Sequence, residues 1–284
     1  MTRQLNLQPI ERHESLSKEQ FKLFLQQNKP VVFRSFAKEW PALTKWTYDY
    51  FKQKQGDIRV PIQEGDFATS GRSYLSESDK MRFADYLDLI ATQPTQKRMF
   101  LFNIFKFMPQ LCEDFNYPDL GITFAEKHPF MFFGGETSFV DMHFDVDLSH
   151  VFLTQFAGKK KIILYAPEYS TQLCRHPLTV ANNINLGKPD FDRYPQLATV
   201  PGIEANLDHG DTIFMPSGYW HYVYYTQGSF SLSLRAQSHL LPKRLEGYYN
   251  IFKLVVLDRQ LTKIFGAKRW YSLKEKMALA RVKK

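Results

Sequence analysis

The sequence predicts a mainly β chain with helical additions at both ends, and three observations carry that prediction. Short apolar runs bounded by Gly or Pro recur through its centre, at Val151–Phe156, Lys160–Ala166 and Thr212–Met215. Apolar stripes with the helical period of 3.6 are confined to the first hundred residues and to the stretch after Pro242. Aromatic residues make up 15% of the chain, with 25 Phe and 15 Tyr, which suits a β-rich core. At 284 residues and 44% hydrophobic content, the chain has room for one β-barrel with helical additions and too little for two large domains.

Each element follows from local chemistry. Ser17 and Gln20 have the spacing of a capping box, and Phe21, Phe24 and Leu25 then share one face of a helix that ends before Pro30. Val31–Phe33 reads as a short strand. Thr47 is placed to cap a second helix that Gly56 closes. Asp57–Ile62 reads as an edge strand, because Pro61 has no N–H for a ladder. Gly65 to Ser78 is polar and reads as a loop or loose hairpin. Phe83, Tyr86, Leu87 and Ile90 make a third helical stripe, and Met99–Asn103 reads as a strand. Phe130–Phe133 is a strand broken by Gly134 and Gly135. Asn182–Leu207 is polar and contains Pro189, Pro195 and Pro201. Phe230–Leu234 is the last core strand. After Pro242, Leu245, Tyr248, Phe252, Val255 and Val256 share one helical face, Gly266 ends that helix, and another runs from about Ser272. The expected division is 1–238 for the barrel domain and 239–284 for a basic helical segment.

Charge is unevenly spread. From His239 onward lie 12 of the 37 basic residues and 3 of the 29 acidic ones, so the rest of the chain is nearly neutral. Such a tail is either a solvated helix face or a contact for nucleic acid, the ribosome or anionic lipid. No apolar run has the length of a membrane span, and Met1-Thr2-Arg3-Gln4 has no signal-peptide core. Cys112 and Cys174 lie in unrelated contexts and read as free thiols, which points to the cytoplasm.

The chemistry concentrates in Met142-His143-Phe144-Asp145-Val146-Asp147 and, far along the chain, Pro216-Ser217-Gly218-Tyr219-Trp220-His221. In extended backbone side chains alternate, so His143 and Asp145 face the same way. A second imidazole from His221 completes two His and one carboxylate, the donor set of non-haem Fe(II) oxygenases. An isolated H-x-D is more often ordinary surface strand. Here each member sits beside a strand end, as a site at a barrel mouth requires.

H-x-D, a hydrophobic strand, Gly158-Lys159-Lys160, and Gly210-Asp211 leading through Pro216 to Trp220-His221 resemble the pattern of the JmjC/cupin-like 2-oxoglutarate oxygenases, a group that also takes in many bacterial cupin-like proteins. Pro30–Phe33, Trp40-Pro41-Ala42 and Lys45-Trp46 extend the resemblance, which covers about residues 15 to 236. It implies a double-stranded β-helix (jelly-roll) barrel in which Asn182–Leu207 is an insertion between strands, able to form part of a substrate lid, and His143, Asp145 and His221 as both catalytic and Fe(II)-binding residues. It implies 2-oxoglutarate as co-substrate, with Lys160 and Ser233 binding it, and dimerisation through the C-terminal helices. The resemblance departs in the co-substrate pocket: Val140 stands where the family often has Thr or Ser, Phe100 stands for a Tyr, and an Asn after H-x-D is missing. Asp147 is either a pocket residue or exposed at a bend; His150 is either a further pocket residue or structural.

The leading expectation is an Fe(II)- and 2-oxoglutarate-dependent oxygenase, a hydroxylase or demethylase acting on a protein side chain or another biomolecule. One alternative is a cupin-fold metal protein with a different co-substrate. The other is a non-catalytic binding protein whose basic tail contacts RNA or the ribosome.

Overall fold

The computed structural model describes residues 3–63, 79–99, 102–238 and 240–282. Fourteen strands are seen among them: β1 (Leu7–Pro9), β2 (Arg12–His13), β3 (Val31–Phe33), β4 (Arg59–Gln63), β5 (Asp79–Arg82), β6 (Arg98–Met99), β7 (Phe130–Gly134), β8 (Phe139–His143), β9 (His150–Ala157), β10 (Lys160–Tyr165), β11 (Gly202–Leu207), β12 (Thr212–Met215), β13 (Trp220–Tyr225) and β14 (Ser229–Ala236). They form a smaller sheet in the order β1-β11-β10-β13-β8 and a larger one in the order β2-β3-β12-β9-β14-β7-β6-β4-β5. The expected mainly β chain with N- and C-terminal helices is therefore the one adopted. Among the described residues no strand pairing closes the two sheets into a continuous barrel.

Strand alternation explains how the sheets face each other. In β14, Phe230, Leu232, Leu234 and Ala236 join a cluster with Phe21, Phe51 and Phe152, under helices α1 (Lys18–Gln26) and α2 (Tyr48–Gln55). The alternate residues Ser229, Ser231, Ser233 and Arg235 must point to the other face. There Val151, Leu153 and Ile213 of the larger sheet meet Ile162, Leu164, Val223 and Tyr225 of the smaller one. A third cluster covers the outer face of the smaller sheet, where Ile163, Tyr165, Trp220 and Tyr222 pack against Ile184, Leu186, Tyr194 and Leu197. Burying each of these large side chains contributes roughly 1.5–3 kcal/mol.

Several expectations are met in detail. The Ser17 side chain accepts from Gln20 N, and the Gln20 side chain accepts from Ser17 N at 2.8 Å, completing the capping box. Thr47 caps α2 through Tyr50 N at 3.0 Å. Phe83, Tyr86, Leu87 and Ile90 are all buried in α3 (Phe83–Thr92).

Others are corrected. β4 is not an edge strand, because β5 and β6 flank it. Asn182–Leu207 is not an insertion between strands throughout. Its last six residues are β11, and the rest lies on the outer face of the smaller sheet, where Ile184, Leu186 and Leu197 find apolar partners. The final helix, α5 (Ala267–Val282), starts before Ser272, immediately after Gly266 turns the chain at φ 77°. It puts Ala278 into the outer cluster of the smaller sheet. The expected loop from Gly65 to Ser78, and Phe100, lie outside the described residues.

α4 (Leu241–Phe252) runs through a π-helical segment, Lys253–Asp258, into one more short helix. Its inward face is small and polar, with Gly247 and Asn250 buried, while Leu241, Leu245, Tyr248, Tyr249 and Phe252 are exposed. No helix among the described residues is long and apolar enough to cross a membrane.

Candidate metal centre

β8 and β13 are neighbours, and their register places His143 directly opposite His221. The ladder shifts immediately afterwards, between His221 and Val223, an irregularity of the kind that re-aims side chains beside a site. The two imidazole centroids are 4.3 Å apart. β8 ends at His143, so Asp145 stands on the turn beyond it, not within a strand as alternation suggested. Even so, it reaches the same point: one donor atom from each of His143, Asp145 and His221 lies within 4.8 Å of the others.

The protonation states suit a cation. His143 Nδ1 is 2.7 Å from Asp141 O, and His221 Nδ1 is 3.1 Å from Tyr219 O. A carbonyl only accepts, so each Nδ1 carries the proton and each Nε2 keeps its lone pair for a metal. Removal from water, then the neighbouring His221, holds the His143 pKa down at about 3. His221 is lowered as well, mainly by burial. Burial alone would raise the Asp145 carboxyl, but Arg235, ahead of the two imidazoles, reverses this and holds it at about 2. Two neutral imidazoles and an ionised carboxylate are the donor forms a divalent metal needs.

Arg235 is the residue that sequence reasoning missed. Its Nη2 donates to Asp145 Oδ1 at 2.7 Å, and its Nη1 to Asp147 Oδ1 at 3.3 Å. The available signal was the alternation Ser229, Ser231, Ser233, Arg235, which points an arginine into the gap between the sheets.

Deeper in the same gap lies Lys160, 1% exposed on the inward face of β10. Its Nζ donates to Ser231 Oγ and sits 4.5 Å from the centroid of the Tyr225 ring. Burial draws its pKa down to about 7. Lys159 and Lys161 point outward and pair with Asp208 and Glu204, as alternation requires. Ser233 is 1% exposed, and its Oγ has no hydrogen-bond partner.

A family model described as the cupin-like domain matches residues 17–242. The chain belongs to the cupin-like domain family. Among curated proteins it is similar to "Lysine-specific demethylase JMJ21" of Arabidopsis thaliana, 30% identical over 75% of this chain and 23% of the relative. It is 29% identical to "Lysine-specific demethylase 8" of Danio rerio, over 74% of this chain and 53% of that protein. It is 26% identical to human "tRNA wybutosine-synthesizing protein 5", over 76% of this chain and 73% of that protein. The chain thus spans about half or less of the first two relatives.

In this cupin-like chain the remaining candidates separate. Asp147 is at the site's rim, held by Arg235 and by Ser149, whose Oγ donates to it at 2.6 Å. His150 faces away from the gap: its ring lies over Phe214 in the aromatic layer, and its Nδ1 accepts from Ser217 N at 3.1 Å. It fixes the turn that delivers His221 and is structural. Two residues before Val140, the Ser138 hydroxyl donates to Gly135 O at 2.7 Å within a turn. Val140 packs with the apolar residues between the sheets and offers no hydrogen bond.

Proposed function

We propose that this chain is an Fe(II)- and 2-oxoglutarate-dependent oxygenase, hydroxylating or demethylating a protein side chain or another biomolecule. The observation that carries this reading is one inter-sheet gap with the His143–Asp145–His221 donor set at its rim and the buried Lys160 within it. Leu164 pairs with His221, and Lys160 pairs with Tyr225, so lysine and metal donors lie four residues apart along adjacent strands, about 13 Å. A short dicarboxylate fits between a cation at one end and a metal at the other.

Each residue then has a task. His143, His221 and Asp145 would hold the iron, the imidazoles through Nε2 and the aspartate through a carboxylate oxygen. The carbonyls of Asp141 and Tyr219 hold the Nδ1 protons and so fix both rings. Lys160, oriented by Ser231, receives the distal carboxylate, and Ser233 supplies an unused hydroxyl along the way. Ile162, Leu164 and Val223 keep the gap dry, which strengthens every charged contact in it. When bound, iron and 2-oxoglutarate would supply the oxidation: the keto acid loses CO2 and takes one atom of O2 to become succinate, and the other oxygen atom goes to the substrate. Succinate release by purified protein with Fe(II), ascorbate and 2-oxoglutarate, lost in His143→Ala, is the expected result. No release, together with no metal-dependent binding of 2-oxoglutarate, overturns the reading.

Val140 favours a second reading, a cupin-like metal protein using a different small acid, because it gives that wall of the pocket no hydroxyl. A thermal-shift comparison of 2-oxoglutarate with other dicarboxylates separates the two. As partner we propose a second copy of the chain on the exposed apolar face of α4: thirteen of the fifteen large exposed hydrophobics among the described residues lie from Leu240 onward. The basic tail supports RNA as the substrate class to test beside protein, since one relative is named for tRNA.

A further inference from the structure

Asp145 is the weakly held member of the donor set. His143 and His221 sit on paired strands, whereas Asp145 stands in a turn closed by Leu148 N on Asp145 O at 3.0 Å, with Leu148 at φ 53°. Such a carboxylate needs an anchor from a rigid element. β14 is that element, paired on both sides by β9 and β7. Its inward Arg235 crosses to the turn with its side chain 19% exposed and joins Asp145 to Asp147. Asp147 is fixed in turn by Ser149 N at 3.3 Å and Ser149 Oγ at 2.6 Å.

From this geometry we infer that Arg235 is a positioning residue for the metal centre, holding the Asp145 carboxylate in its metal-facing orientation by tying it to Asp147. The inference rests on the metal-centre reading. A carboxylate that binds a metal through one oxygen has the other free for a guanidinium, so both can be engaged together. Asp147 balances the charge of Arg235. The pair is then neutral overall and leaves the charge of Asp145 to the ion. The fork geometry of Arg, not its charge alone, sets the direction in which Asp145 points.

The test is Co(II) binding by the full chain, followed by calorimetry and by the visible d–d spectrum, which reports ligand geometry independently of turnover. Arg235→Gln is expected to weaken Co(II) binding about tenfold or more and to shift the spectrum. Arg235→Lys, which keeps the charge without the fork, should fall between Arg235→Gln and the unaltered chain. Asp147→Asn, which removes the anchor without touching a metal donor, should also weaken binding, and it decides the matter if Arg235→Gln does not fold. Unchanged or tighter Co(II) binding in a folded Arg235→Gln or Asp147→Asn variant overturns the inference while leaving the metal centre intact. Failure of the unaltered chain to bind Co(II) overturns both.

Discussion

Lys160 Nζ sits 4.5 Å from the centre of the Tyr225 ring, in a gap where no carboxylate of the protein pairs with it among the described contacts. Burial therefore leaves its pKa at about 7. The folded chain holds Lys160 neutral above that pH, whereas the unfolded chain keeps it protonated to about 10.4. Unfolding thus takes up a proton in this window, and stability without co-substrate rises from about pH 7 towards pH 10. A dicarboxylate reverses the preference by favouring the charged amine, so binding takes up a proton. The affinity for 2-oxoglutarate should fall up to tenfold per pH unit above about 7, as measured by calorimetry in buffers of different ionisation enthalpy. Lys160→Met should abolish both slopes.

Metal should stabilise the fold through His221. Any ligand bound only by the folded state adds RT ln(1 + [L]/Kd), about 2.7 kcal/mol at a hundredfold excess over Kd. Mn(II) should raise the melting temperature of the unaltered chain, and excess chelator should remove the gain. His221→Ala should melt at one temperature with or without Mn(II).

Gly247 presses on the turn that carries Asp145. A Cβ built there would lie 2.4 Å from Asp147 O and 2.8 Å from its carbonyl carbon. Backbone cannot yield as a flexible side chain does, so Gly247→Ala must push helix and turn apart, at a cost of about 1–3 kcal/mol. Denaturant unfolding should show that loss, and Co(II) binding should weaken with it. An unaltered Co(II) affinity would show that the helix does not bear on the site.

The exposed face of α4 should decide the oligomeric state. Tyr248→Glu with Phe252→Glu places charge on residues 62% and 49% exposed, where the folded monomer loses little packing. Light scattering should give a dimer for the unaltered chain and a monomer for the double variant, with no large change in the unfolding midpoint of the monomer. A monomer at every concentration for the unaltered chain sinks the proposed partner.

Much of the site was legible because its information is local. H-x-D, Gly158 before Lys160, and Pro216 before His221 each state an address, although Asp145 reaches its place from a turn and not by strand alternation. The alternation of Ser and apolar residues in β14 likewise states which face is dry. Arg235 was not legible as a partner of Asp145, since nothing near either residue names the other across 90 positions. His150 was left open between pocket and structural roles for a related reason: a polar residue beside H-x-D takes its face only from the register, which sends it to the other side.

The chain's order of residues determined the periodicities and the caps at Ser17 and Thr47, because short-range sterics and hydrogen bonding settle these within a few residues, and it named His143, Asp145 and His221 as the candidate donor set by residue type and motif. Folding decided what no short window contains. It set His143 against His221, lent Asp145 a guanidinium from the opposite sheet, and buried Lys160 between the sheets. Those outcomes depend on burial and on charges meeting through space, and both quantities exist only once distant strands have packed.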